Sequence, residues 1–189
     1  MSAAAPTYPR TVPVGDAQVT LRVMGTGDEA AMLRFAKTLR PHDLLFLRRD
    51  ITKEASVHEW VKDIEGGELT TVLAIVGDEI VGYSSVQRSH LDWSSHVAEM
   101  RVLIAEAMRR KGLGKLLTQE AFALALSTGV EKMMAQMTVD QKGAIAAFEG
   151  LGFRPEALLR DHVKDREGKK HDLLVLSHDV SRDDANAED

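Results

Sequence analysis

A short stretch rich in glycine and basic residues lies between a predicted strand and a predicted helix, and it restricts the fold more than any other part of the chain. The strand is predicted over residues 97–105 and the helix from about residue 112 to residue 128. The N–H groups of a first helical turn lack partners within the helix and carry partial positive charge. The stretch therefore predicts an anion site, with a diphosphate as the simplest ligand, or else a glycine-led helix start with a solvated basic face. Its four basic residues and two glycines are Arg109, Arg110, Lys111, Gly112, Gly114 and Lys115.

Two familiar phosphate-binding motifs do not fit this spacing. A P-loop needs a glycine five residues before its Gly-Lys pair, and the chain has Arg109 there. A dinucleotide-binding fingerprint needs a third small residue three positions after Gly114, where Leu117 stands. A nucleotide-binding enzyme of either type is therefore disfavoured.

The order of the other predicted elements indicates an α/β (α+β) fold. Antiparallel strands come first, and a β-α-β-α-β half follows, so helices should cover both faces of a mixed central sheet. Glycines at 66 and 67 end the second helix, for which Thr52 is the predicted N-cap. The predicted strands are 19–23, 70–76, 80–87, 97–105, 132–139, a return strand opening at 152–153, and 173–176; the helices are 28–39, 52–64, 112–128 and 141–150.

Length and composition predict one globular domain over residues 16–180 of the 189, preceded by an extended arm at 1–15 and followed by an acidic tail at 181–189. The formal net charge of −5 argues against nucleic-acid binding, which relies on excess Lys and Arg. No segment has the roughly 18 apolar residues of a membrane span, and no signal peptide is recognised. The absence of cysteine excludes disulfides and a cysteine zinc site, and it fits a cytoplasmic protein.

Three motifs in order make the chain resemble the GNAT family of N-acetyltransferases. Arg109, Gly112 and Gly114 match the pattern Arg/Gln-x-x-Gly-x-Gly/Ala, and residues 98–104 look like the central strand of the family. Residues 144–153 are similar to its helix-to-strand segment that ends in Leu-Gly-Phe. The resemblance runs from about residue 19 to residue 180. It implies a GNAT-like fold, with strands that splay at an acyl-CoA site, and acetyl-CoA as co-substrate without a metal.

The resemblance also implies which residues contact the coenzyme. Backbone groups of Val102, Leu103 and Ile104 would pair with pantetheine as a neighbouring strand does, and the N–H of Leu103 would polarise the thioester carbonyl. Gln141 stands where many members have an asparagine that touches pantetheine. The diphosphate would be held by the loop residues Arg109, Arg110, Lys111, Gly112, Leu113, Gly114 and Lys115.

The residues that would move protons are less clearly marked. Glu99 on the central strand is the candidate general base, and an ion pair with Arg101 is the equally weighted alternative. His96 is a lesser candidate. Many members protonate the departing sulfur with a tyrosine where this chain has Phe148, and a second base position holds Gln136 instead of glutamate.

These observations predict an N-acetyltransferase that moves an acetyl group from acetyl-CoA to a primary amine. Without cysteine, an acetyl-cysteine route is closed and direct attack in a ternary complex remains. The acceptor, a small-molecule or protein amine, should bind among residues 39–51, 89–95 and 161–172. The alternative is a non-catalytic acyl-CoA sensor. A metal site at the two Asp/His pairs at 161–162 and 171–172 is disfavoured, and homodimerisation stays open.

Overall fold

The computed structural model describes residues 6–45, 47–89 and 91–180, and the predicted acidic tail lies outside them. Eight strands and five α-helices make up this part of the chain. In chain order they are β1 (Arg10–Val14), β2 (Ala17–Val23), α1 (Glu29–Lys37), α2 (Pro41–Leu44), α3 (Glu54–Glu65), β3 (Leu69–Val76), β4 (Glu79–Arg88), β5 (Val97–Ile104), α4 (Leu113–Ser127), β6 (Lys132–Thr138), α5 (Lys142–Glu149), β7 (Arg154–Lys164) and β8 (Lys170–Asp179).

All eight strands form one sheet in the order β1-β2-β3-β4-β5-β6-β8-β7. Every neighbouring pair is antiparallel except β5 and β6, which are parallel and are connected through α4. The predicted mixed sheet is therefore confirmed. In its one parallel pair, the strand β5 is the one that precedes the glycine-rich stretch.

Apolar side chains cover both faces of this sheet, as predicted. On one face, α1 and α3 pack on β3 and β4 through a cluster that includes Phe35, Trp60 and Tyr83. On the other face, α4 and α5 pack on β5 and β6 through residues such as Ala121 and Phe148. The central strands are therefore buried between two helical layers. Among the described helices, none is both long and apolar enough to cross a membrane.

Three local features differ from the sequence-based expectation. Residues 10–14 of the predicted N-terminal arm form the edge strand β1, because they pair with β2 from Arg10–Leu21 to Val14–Ala17. Helix α3 starts at Glu54 with Lys53 as N-cap, so the prediction of Thr52 as the cap was wrong. The Thr52 hydroxyl instead donates to Asp50 Oδ1 at 2.5 Å. The last two strands, β7 and β8, are also longer than predicted.

A glycine in β4 lets the sheet and α4 approach closely. A Cβ atom added at Gly82 would lie 2.9 Å from the carbonyl oxygen of Leu103 and 3.2 Å from Leu117 Cδ1. We therefore expect Gly82→Ala to lower the free energy of unfolding by about 1–3 kcal/mol, because backbone and core must both shift. Urea denaturation measures this, with Gly25→Ala as the control. An added Cβ at Gly25 meets no atom of the structurally described residues within 4 Å, so a change below about 0.5 kcal/mol is expected there.

Candidate functional site

The two parallel strands separate after three residue pairs. β5 and β6 pair only from Val97–Lys132 to Glu99–Met134. Beyond that point, β5 continues beside β4 as far as Ile104, and β6 continues beside β8 as far as Thr138. Over residues 100–104, one edge of β5 thus has no strand beside it among residues 6–45, 47–89 and 91–180. Backbone groups on that edge are free to pair with an extended ligand.

Two backbone hydrogen bonds show which residues of β5 face that edge. Ala105 N–H donates to Val81 O at 2.9 Å, and Ser89 N–H donates to Val97 O at 3.2 Å. Hydrogen-bonded pairs alternate along an antiparallel ladder, so the odd-numbered residues of β5 direct their N–H and C=O groups at β4.

The even-numbered residues Met100, Val102 and Ile104 therefore direct their backbone groups at the open edge. The expected pairing of Val102 and Ile104 with pantetheine stays a prediction. The backbone of Leu103 is directed at Tyr83 of β4, its register partner, so it does not suit the expected contact with pantetheine or the thioester. The sequence could not show which residues of β5 direct their backbone groups at the open edge, because that depends on the register between β5 and β4.

A cavity of about 100 Å³, which we call the slot, lies along the open edge of β5. Gln141 lines it, as expected for that position, and its Oε1 accepts the backbone N–H of Thr138 at 3.2 Å. Phe148 also lines the slot and is 8% exposed, with its ring edge-on to Phe153 at 5.1 Å. An aromatic ring without a hydroxyl thus lies where a proton donor was expected.

The basic loop, residues 109–115, leads from the slot to the start of α4. Gly112 is the N-cap of α4 with φ of 96°, and Arg110 also has a positive φ of 61°. A Cβ atom at Gly114 would lie 2.9 Å from Ile104 Cδ1. The N–H of Leu116 is the first to bond within the helix, to Gly112 O at 3.1 Å, so the earlier N–H groups point out of its end. This is the backbone geometry of an anion site.

The basic side chains of the loop differ in what they contact. Lys111 Nζ donates to Asp16 Oδ1 at 2.9 Å, which ties it to the turn between β1 and β2. Arg110 and Lys115 are exposed, so their charges are available to a ligand that binds at the basic loop. Arg109 donates to Oδ2 of Asp43, a residue of the slot lining, at 2.6 Å.

Helix α2 bridges the two sides of the slot. Asp43 joins it to the basic loop through Arg109, and His42 Nε2 lies 3.0 Å from Asp140 Oδ2 at the start of the loop before α5. Burial raises the pKa of Asp43, but hydrogen bonds from Arg40 and Arg109 outweigh it, so the pKa lies below its usual value. Sequence reasoning did not single out α2, because its partners are far away in the chain.

Asparagine in place of Asp43 should destabilise the protein in a pH-dependent way. Because the pKa of Asp43 is lowered on folding, its stabilising effect is present above the unfolded value of about 3.9 and is lost as the pH falls below it. We expect Asp43→Asn to cost about 1–2 kcal/mol at neutral pH. Urea denaturation from neutral pH down to about pH 3 tests this. A difference from the wild type that persists unchanged in acid would contradict it.

Glu99 lies outside the slot lining, near Arg101, and contacts two guanidinium groups. Arg101 Nη2 donates to its Oε1 at 2.6 Å, so the expected alternative of an ion pair with Arg101 is present. Its Oε2 lies 3.8 Å from Arg48 Nη1 and is held less tightly. One oxygen is thus committed to Arg101 and the other is available to a ligand. His96 is exposed at the start of β5, and its backbone carbonyl accepts the N–H groups of residues 131 and 132.

An open groove of about 600 Å³ begins at Glu99 and runs over β5 and β6. Glu99, Met134 and Gln136 contribute to it, and Arg48 and Leu91 also line it. Two of the segments expected to bind the acceptor, 39–51 and 89–95, therefore meet here. Gln136 lines both this groove and the slot, so the two spaces are adjacent.

The third expected segment, 161–172, lies apart from this groove. Lys164 and Asp165 line a different cavity with Leu45 and Asp50. Its acidic and histidine side chains contact other partners, since Asp172 Oδ1 accepts the N–H of residue 161 at 2.9 Å and His171 lies 2.7 Å from Asp165. Within the described part of the chain, no three or more His, Cys, Asp and Glu side chains are grouped as metal ligands.

A residue that the sequence did not single out, Tyr83, lies between the slot and the Glu99 side. It lines the slot and also a cavity of about 30 Å³ that Glu99 and Arg101 line. Its side chain is 2% exposed, and burial raises its pKa, against the weaker opposing effect of Arg101 and Arg49. In the sequence, Tyr83 is marked out only as a phenol within a predicted apolar strand, which does not indicate a position beside a cavity.

Comparisons with known proteins agree with this architecture. The sequence profile of the family described as "Acetyltransferase (GNAT) family" matches residues 36–153. A Bacillus subtilis protein named "Putative phosphinothricin acetyltransferase YwnH" is 34% identical over 84 residues, which cover 44% of this chain and 51% of that protein. A mycothiol acetyltransferase of Corynebacterium efficiens is 35% identical over 78 residues, 41% of this chain and 25% of its own. The chain thus matches about half the length of the Bacillus protein and about a quarter of the length of the Corynebacterium protein.

Solved structures show the same fold at low identity. The GNAT domain of a Streptomyces lividans protein named PAT superposes with a TM-score of 0.74 at 16% identity, covering 90% of this chain and 96% of that one. A Salmonella typhimurium protein solved with its cofactor acetyl-CoA superposes with a TM-score of 0.73 at 19% identity, covering 86% and 94%. Because the identities are below 25%, these likenesses establish the fold and nothing further.

Proposed function

The chain belongs to the GNAT family of acetyltransferases, and from that premise we propose that it moves an acetyl group from acetyl-CoA to a primary amine by direct attack in a ternary complex. The observation that carries this proposal is the open edge of β5, which leads directly to the basic loop. Val102 and Ile104 would pair with pantetheine there.

The remaining coenzyme contacts follow from the same geometry. The diphosphate would lie against the N–H groups of the basic loop, with Arg110 and Lys115 as exposed cations beside it. Gln141 and the side chain of Leu103 would contact pantetheine in the slot, which both residues line. A bound diphosphate would also compete with Asp43 for the Arg109 guanidinium.

On the acceptor side, Glu99 would take the proton of the incoming ammonium. Alkyl amines with a pKa near 10.4 and α-amines near 8 are mostly protonated at neutral pH, so a base assists the attack. Glu99 Oε2 lies at the junction of groove and sheet, and Arg101 orients the carboxylate through Oε1. A free N–H on the open edge, from Val102, would polarise the thioester carbonyl in place of Leu103.

The charges of the groove favour a small acceptor that carries an acidic group as well as its amine. Arg48 Nη1 donates to Gln87 Oε1 and lies 3.8 Å from Glu99 Oε2, and Arg88 donates to the carbonyl oxygens of residues 95 and 128. The groove thus has more positive than negative charge although the chain has a net charge of −5. In an α-amino acid, the amine and carboxylate are roughly 3 Å apart, which suits the 3.8 Å between the Arg48 and Glu99 atoms. Phosphinothricin, named for the Bacillus relative, is such an acceptor.

Release of free CoA thiol tests the proposed activity directly. The purified protein is incubated with acetyl-CoA and a panel of amines that includes α-amino acids, phosphinothricin, alkyl amines and a lysine peptide. We expect release above the hydrolysis background with at least one amine and acetylated product by mass spectrometry. Saturable acetyl-CoA binding without release for every amine would exclude the transferase.

That second outcome would favour a non-catalytic acyl-CoA sensor. Its specific support is the chemistry of two residues that line the slot, since Phe148 has no proton to donate and Gln136 cannot act as a base. In that case the open edge of β5 and the basic loop would still bind the coenzyme.

A further inference from the structure

The proposed reaction needs a proton at the coenzyme sulfur, and Phe148 cannot supply it. When the tetrahedral intermediate collapses, the C–S bond breaks and its electron pair goes to sulfur. A thiolate inside the slot is partly withdrawn from water, so a nearby acid would assist its departure. Phe148 is buried beside the slot and has only carbon and hydrogen in its ring.

Tyr83 is placed where such an acid is needed. It lies on β4 in register with Leu103, so it flanks β5 at the level of the slot. Its ring is fixed edge-on against Trp60, with centroids 4.9 Å apart, and against Phe35 at 6.2 Å. This packing leaves the phenol little freedom and directs it at the two cavities that it lines.

The hydroxyl of Tyr83 has no hydrogen-bond partner among the residues that the structure describes, although the side chain is only 2% exposed. Tyrosine hydroxyls in protein interiors normally find a hydrogen-bond partner. The other tyrosine follows that rule, because Tyr8 Oη donates to Glu120 Oε2 at 2.7 Å. The partner of Tyr83 is therefore to be sought in the ligand that fills the slot.

We propose that Tyr83 donates its phenolic proton to the departing CoA sulfur; this inference rests on the proposed acetyltransferase function. The N–C bond forms as the amine attacks, the C–S bond breaks, and the proton of Tyr83 moves to sulfur to give the free thiol. The amine loses two protons in all. One re-protonates the Tyr83 phenolate and the other passes to water, so charge and atoms balance.

The surroundings of Tyr83 suit both of its states. Burial raises the pKa of the phenol, which keeps it protonated at neutral pH but makes it a weaker acid, and Arg101 and Arg49 act in the opposite direction and would stabilise the transient phenolate. The cavity of about 30 Å³ that Tyr83 shares with Glu99 has room for one or two waters. Such water could return a proton from Glu99 to Tyr83.

Tyr83→Phe tests the assignment because it removes only the hydroxyl. We expect kcat to fall by about 10²-fold with the KM for acetyl-CoA unchanged. The urea midpoint should stay close to that of the wild type, since the lost hydroxyl makes no hydrogen bond within the described part of the chain. Tyr8→Phe is the matched control. It breaks a hydrogen bond far from the slot, so its urea midpoint should fall while kcat stays at the wild-type value.

A second acyl donor distinguishes a proton donor from a residue that only shapes the slot. An acetyl thioester of a nitro-substituted thiophenol releases a stable thiolate and needs no acid. The ratio of wild-type to Tyr83→Phe rates should therefore fall from about 10² with acetyl-CoA to near 1 with this donor. A purely structural effect would give the same ratio with both donors.

The outcomes separate this inference from the function on which it rests. If the wild type releases CoA and Tyr83→Phe does so equally fast, or if the two donors give equal ratios, the role of Tyr83 is overturned and the transferase stands. If the wild type releases no CoA with any amine, the proposed function fails and the role of Tyr83 fails with it.

Discussion

Replacing Gly112 with aspartate should reduce coenzyme binding at least a hundredfold in a protein that stays folded. Gly112 caps α4 with φ of 96°, and an added Cβ would meet no atom of the described residues within 4 Å. The aspartate would therefore fit beside the loop, with its carboxylate at the helix end where the diphosphate is expected. Two like charges about 5 Å apart repel by roughly 3 kcal/mol at an effective dielectric constant near 20. That energy corresponds to more than a hundredfold in affinity.

Gly112→Asn is the matched control for this variant. Asparagine has the same shape as aspartate, and both residues tolerate a positive φ better than other side chains do. Any loss common to the two variants reports strain and bulk, and the difference between them reports charge. Titration calorimetry with CoA at fixed ionic strength measures both. Equal affinities for the two variants would contradict the proposal that the diphosphate binds at the basic loop.

The basic loop could be predicted from the sequence because its geometry is local. Each feature of the loop depends on one residue. Gly112 can adopt its positive φ, and Gly114 can approach Ile104 closely, because glycine has no side chain. The strand before the loop and the helix after it have strong periodic patterns. The mixed sheet followed from the same signals, and the structure confirms it.

The parts of the site that the sequence did not reveal depend on contacts between distant residues. Arg109 and Asp43 are 66 positions apart, and the sequence of neither segment predicts their ion pair. Tyr83 is distinguished only by which cavities it lines, and Arg48 only by where the segment before α3 crosses the sheet. Such features arise from tertiary packing, so a single sequence carries little signal for them.

Glu99→Gln should lower kcat by about 10²–10⁴-fold while the acetyl-CoA dissociation constant stays unchanged. Glutamine keeps the size of the side chain and can still accept from Arg101, but it cannot take a proton. Glu99 lies outside the slot lining, so coenzyme binding should not depend on its charge. Glu106→Gln is the control. Its carboxylate is exposed and 4.0 Å from Arg40, so it changes net charge equally without touching the groove.

The pH profile decides whether Glu99 acts as a base or only as the ion-pair partner of Arg101. Without a base, the reaction must wait for amine that is already neutral, and that fraction rises about tenfold per pH unit below the amine pKa. The rate of Glu99→Gln should therefore approach that of the wild type as the pH rises from about 6 to about 9 with an α-amine acceptor. A variant whose turnover equals the wild type throughout this range would leave Glu99 as a structural carboxylate and would move the proton acceptor to water in the groove.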